Sequence, residues 1–180
     1  MKQTLFLISF MLMNTAYYSQ REITKIDESR INKEVENLVI SFKKKLSSQD
    51  LTKDQIEFSI DTFRIRQVLH KRMDIDFSIN GMNEHVMKMT DSYSKLLNKY
   101  YNKLLNLLSD SDKKVLVKAQ MSWLNYRDSE AKLINVMKKE EYTGGGWIHT
   151  CNAVSRYSDI MEERTIVLFE YYNQVQNIGN

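Results

Sequence analysis

Proline is absent from this 180-residue chain, and glycine occurs five times, three of them in one run. An all-β chain needs Gly, Pro and Asn at its many turns, so this scarcity argues against sandwiches and barrels. It also leaves little to interrupt long helices. A single cysteine, Cys151, excludes an intrachain disulfide, so the elements must hold by packing alone. A free cysteine usually sits buried as a small hydrophobe, and that is the expectation here. The three histidines, His70, His85 and His149, fall on different expected elements without HExxH or other ligand spacing. No metal site and no cofactor are therefore expected. His149 and Cys151 are two residues apart, and side chains at that spacing point apart on a helix, so they do not make a nucleophile pair. The glycine run lacks the Lys and Ser/Thr of a phosphate-binding loop. With no catalytic constellation, no enzyme is expected. The 26 basic and 23 acidic residues leave a net charge of +3, too small to argue for nucleic-acid binding.

What the chain does have is helical periodicity. Residues 1–19 read as a secretory signal, with Lys2 as the charged start, an apolar run from Leu5 to Met13 and a polar exit. The run is too short to span a bilayer, which takes about 20 residues. No cysteine lies near the exit, so the exported chain is not expected to be lipid-anchored. Residues 20–180 then form a single domain, periplasmic or secreted, with no transmembrane segment. Ile31, Val35, Leu38, Val39, Phe42 and Leu46 stripe a first helix, about 23–46. Thr52 with Gln55 makes a capping box for a second helix that carries Ile56, Ile60, Phe63, Val68 and Leu69 under a charged outer face. Asn80-Gly81 is expected as a turn.

The strongest periodicity lies at the centre. Tyr93, Leu96, Leu97, Tyr100, Leu104, Leu107 and Leu108 recur at steps of three and four. Ser109 and Asp112 then suit a new helix start, and Leu116, Ala119, Trp123 and Tyr126 continue the stripe. This predicts a third helix, about 83–108, and a fourth, about 112–139, as a central antiparallel hairpin. A fifth helix is expected over about 147–172, its inner face lined by Ile148, Cys151, Val154, Met161, Thr165 and Leu168, followed by a frayed tail. The fold class is all-α, a compact bundle of four to five helices built on that hairpin.

Two places could recognise a partner. Gln120, Trp123 and Arg127 share one helix face with Tyr126 beside it. A buried guanidinium demands a counter-charge, so this set is expected mainly to stitch helices four and five through salt bridges of Arg127 and Arg164, the latter reaching Asp128 or Glu130. A docking face is the alternative, since Trp, Tyr and Arg dominate binding hot spots. The second place is the connection Glu140, Glu141, Tyr142, Thr143, Gly144, Gly145, Gly146 and Trp147, with two acids, two aromatics and a permissive backbone.

The ordered set Leu97-Asn98-Lys99-Tyr100-Tyr101, Ala119-Gln120, Trp123, Tyr126-Arg127-Asp128, the glycine run and Arg164 resembles the LprI-like lysozyme-inhibitor family over about residues 82–172. The resemblance implies a small exported helical domain whose motif residues, including Asn98, Tyr101, Asp128 and Arg164, are structural. Relatives often carry a cysteine where this chain has Ala131, so Cys151 is implied to have lost its partner. The implied function is binding another protein, with lysozyme the named candidate and occlusion of the glycan cleft the mechanism. A structural or adaptor protein of the cell envelope is the alternative. Lysozymes are commonly basic, and complementary negative charge speeds association. Without the signal the chain keeps 25 basic against 23 acidic residues, so any acidic surface must be local.

Overall fold

The computed structural model describes residues 21–178; the expected signal at 1–19 lies outside them. The described chain is all-α: α1 (Lys25–Leu46), α2 (Lys53–Met73), α3 (Ile79–Leu107), α4 (Asp110–Met137), the single turn α5 (Glu140–Thr143) and α6 (Ile148–Ile178). The expected fifth helix is α6, and it continues through the expected frayed tail. None of the described helices is long and apolar enough to cross a membrane.

Local chemistry sets the helix starts. Thr24 and Thr52 each cap a helix, with Asp27 and Gln55 answering from the third position. Ser109 accepts the Asp112 backbone N–H and donates its own hydroxyl to the Asp112 carboxylate. Gly81 departs from expectation. It lies inside the first turn of α3, with no left-handed backbone. Its role is close approach: a Cβ there would meet the Asp76 carboxylate at 2.3 Å. That buried carboxylate accepts the Ser78 backbone N–H at 3.0 Å, and the Ser78 hydroxyl accepts the Gly81 N–H at 2.9 Å. Asp76 thus sits at the positive end of the α3 dipole, and its pKa is held below the usual carboxylate value chiefly by Ser78.

The dominant packing is between α3 and α6. The Thr165 hydroxyl donates to the Tyr93 carbonyl, and the Tyr100 ring meets Phe169 and Tyr172 further along both helices. The register advances in the same direction on each, so the pair is parallel. Consecutive helices joined by short turns run antiparallel, so α4 is the return limb between the two. α3 and α4 are joined by a short turn but do not pack closely on each other, and the central pair is α3 with α6 instead of the expected α3–α4 hairpin. Tyr93, Tyr100, Leu168 and Thr165 are fully enclosed. Phe58 of α2 stacks on Phe169 at 3.8 Å and meets Tyr100 edge-on.

α2 is packed on two sides. Phe58 and Ile65 join the α3–α6 core, while Ile60, Phe63 and Val68 pack against Ile31, Val35 and Val39 of α1. Its basic residues are bridging, not merely solvated: Arg64 pairs with Glu36, Lys71 with Glu34, Arg72 with Glu28 and Arg66 with Glu162. Lys99 and Lys103 of α3 answer Asp54, Glu57 and Asp61 of α2 at 2.6–2.9 Å. α4 is different. Only Leu116 and Gln120 along it are buried, and Val115, Met121, Tyr126, Leu133 and Met137 are exposed.

This packing makes two stability predictions. Gly81→Ala should destabilise by about 2 kcal/mol in urea denaturation, although helix propensity alone would favour alanine by about 1 kcal/mol. A stabilised variant would refute the Asp76 contact. His85 of α3 is 2 % exposed and neither ring nitrogen has a partner. Burial, then the Arg72 charge, lower its pKa, against Asp76 and Glu84 which raise it. The unfolded chain takes up a proton near pH 6.5 and the folded chain resists, so stability should fall as pH drops below about 6.5. Denaturation of His85→Gln should lack that slope.

Candidate functional site

The motif residues converge where α4 crosses α6. Gln120 is buried, and its side-chain oxygen accepts two bonds from Arg164, from Nε at 3.1 Å and Nη2 at 3.0 Å. This corrects the expected salt bridge: Arg164 meets an amide, and neither Asp128 nor Glu130 reaches it. Burial accordingly lowers the Arg164 pKa, since no carboxylate offsets the lost solvent. Arg127 does not cross to α6 either. It pairs with Asp128, the next residue, at 2.6 Å. Trp123 lies beside both cations, with Arg127 Cζ at 5.6 Å and Arg164 Cζ at 5.8 Å from its ring centroid. The stitch is therefore one amide–guanidinium fork reinforced by an indole. Tyr101 packs half-buried on the core, while Asn98, Tyr126 and Asp128 are exposed.

Beyond this crossing, α4 and α6 continue to a tip. α5 is one helical turn, and Gly144 closes it in the left-handed conformation with its N–H on the Glu140 carbonyl. Gly144, Gly145 and Gly146 all have positive φ, 74°, 87° and 109°, which side-chain-bearing residues rarely adopt. The connection is thus an ordered turn that projects Tyr142, 58 % exposed, and Trp147, 55 % exposed. Neither aromatic packs beneath the loop as an anchor. Glu140 and Glu141 are exposed beside them, with Lys139 3.5 Å from Glu141. Ile148 is exposed, Cys151 and Val154 are half-buried, and Ala153 and Ser158 take the inner positions.

Between the crossing and the tip lies a groove of about 330 Å³, floored by Leu133, Ile134, Met137 and Ile160 and edged by Tyr126, Glu130, Asp159 and Glu163. Sequence reasoning missed it. The one available signal was the apolar run Tyr126, Leu133 and Met137 on α4, and it acquires meaning only once α6 is placed beside it. Among the described residues, no group of three or more His, Cys, Asp or Glu is placed to hold a metal ion.

The helices and the site define a class: a small all-α protein whose ordered, aromatic-tipped connection and open groove present a surface for binding. The family model for the lysozyme inhibitor LprI matches residues 77–168, just over half of the chain, and the protein belongs to that family. No curated protein and no solved structure matches the chain. The matched span runs from just before α3 into α6, so it contains the crossing, the tip and the groove and leaves α1 and α2 outside.

Gln120→Leu, which strips Arg164 of its acceptor, should cost about 2 kcal/mol in chemical denaturation. Gln120→Glu, which offers a carboxylate instead, should retain stability. Equal losses in both would show that the Arg164 contact does not stabilise the crossing.

Proposed function

We propose that this is an exported, non-enzymatic protein that binds lysozyme and blocks its glycan cleft. Glu140, Glu141 and Tyr142 enter the cleft, and Gly144, Gly145, Gly146 and Trp147 shape and flank the inserted turn. The observation that carries this is the tip itself. Two large aromatics stand more than half exposed on a turn held by three positive-φ glycines, next to two exposed carboxylates. Exposed aromatics on a preorganised turn bind at low entropic cost, and carboxylates suit the basic residues of a lysozyme surface. Membership of a family described as lysozyme inhibitors supports the choice of target. Of the motif residues, Tyr101, Gln120, Trp123 and Arg164 hold the helices behind the tip, while Asn98, Tyr126 and Asp128 are exposed and Arg127 pairs with Asp128.

Lysis of a cell-wall suspension by a basic lysozyme, titrated with the mature protein, tests this. Inhibition is expected near stoichiometric ratios. The variant Glu140→Ala/Glu141→Ala/Tyr142→Ala should need roughly tenfold more protein for the same effect, with unchanged helicity by circular dichroism. Full inhibition by that variant would exclude the tip, and no inhibition by the wild type would exclude the target.

A further inference from the structure

We infer that the groove between the outer halves of α4 and α6 is a docking slot for an arginine or lysine side chain of a basic protein. The inference rests on the inhibitor reading for the partner's name, but its physical basis is separate. Many of this chain's other acids are neutralised by its own cations. Lys99 and Lys103 bind Asp54, Glu57 and Asp61, and arginines of α2 answer Glu28, Glu36 and Glu162. Glu130, Asp159 and Glu163 line one groove and make no ion pair or side-chain hydrogen bond with any described residue. Arg156, the one cation on the same lining, makes none either, so the lining carries three carboxylates against one guanidinium and is net negative.

Shape and chemistry agree with that charge. The floor of Leu133, Ile134, Met137 and Ile160 is apolar, and Tyr126 at the edge is 53 % exposed. A long basic side chain can lay its methylenes on such a floor while its charged head meets carboxylates at the rim, and the Tyr126 ring offers a face to the cation. A purely apolar occupant would leave three rim carboxylates desolvated without a partner, which is costly. The groove also continues into the proposed contact: Ile134, Met137 and Arg156 line both it and the adjoining hollow that reaches Thr143 and His149 at the tip. A partner held by the tip therefore has the slot alongside. This supplies the local acidic surface that a chain of net positive charge otherwise lacks.

Binding of the full mature protein to a basic lysozyme, measured by calorimetry at low and high ionic strength, is the test. The variant Glu130→Gln/Asp159→Asn/Glu163→Gln is compared with wild type and with the tip variant. The expected result is roughly tenfold weaker binding by the groove variant at low salt, with the difference shrinking at high salt. Where wild type binds and the groove variant binds equally well at both salts, the slot is overturned and the inhibitor reading stands. Where wild type does not bind lysozyme, a tetra-arginine peptide decides by nuclear magnetic resonance. Shifts at Tyr126, Ile134 and Ile160 that the groove variant abolishes keep the slot while the inhibitor reading falls; their absence overturns the slot too. A wild-type dimer dissolved by the triple substitution in sedimentation would assign the groove to a second copy and also overturn the proposal. If the triple variant melts below wild type, the single Glu163→Lys replaces it in each comparison.

Discussion

The parallel contact between α3 and α6 is the constraint from which the rest of the molecule follows. Thr165 bonds the Tyr93 carbonyl at the centre of that contact, and Tyr100 is enclosed by Phe58, Phe169 and Tyr172 further along. Two parallel helices in one chain need a return path. α4 is that path, and its length matches the distance it must cover, with 28 residues against 29 and 31 for the helices it connects. Because α3 and α6 already satisfy each other, and α2 covers a further side of the pair, α4 has little core left to join. It is pinned at Leu116 and at the Gln120–Arg164 fork, and beyond those points it keeps apolar side chains in solvent. Exposed apolar surface of this extent, rimmed by polar groups, is what interaction surfaces look like.

Charge is distributed in accord with that division. The α1–α2 side is closed by ion pairs that cross between helices, several of them partly shielded from solvent. Such pairs contribute modestly to stability but set which helix faces meet. Along the α4–α6 groove, Glu130, Asp159 and Glu163 keep their carboxylates uncommitted. The small net charge therefore conceals a local acidic surface along that groove.

Much of the fold was legible in the residues. Most of the apolar stripes of α1 and α3 are the buried faces observed, although Leu38 and Leu107 are exposed, and the capping residues Thr52 and Ser109 mark real helix starts. What could not be read was partnership. A stripe says that a face is covered but not by what, so the preference of α3 for α6 over its neighbour α4 was invisible. Gly81 illustrates a second limit. Glycine near asparagine suggests a turn because of backbone freedom, whereas here it serves a carboxylate five residues upstream that needs the space of a missing methyl. Arg164 illustrates a third. Its burial predicted a carboxylate partner, and the structure meets the guanidinium with an amide and an indole instead. The tip residues could be named as a candidate because their chemistry is local, and the groove could not because its two walls are some thirty residues apart in the chain.

The parallel pairing also orders events in time. A chain emerging from a ribosome or a translocation pore appears amino-terminus first, and domains begin to fold as their parts arrive. α1 and α2 are neighbours in sequence and can pair early. α3 then appears with Tyr93, Leu97, Tyr100 and Leu104 directed at a partner whose centre, Thr165, lies 72 residues behind Tyr93. For that interval the most apolar stripe in the molecule has only α2 and the incoming α4 to shelter it. The lysines on α3 that pair with α2 are placed to hold α3 against the early hairpin during the wait. The architecture thus makes α6 the helix that completes the core, and a chain without it leaves an adhesive half-protein.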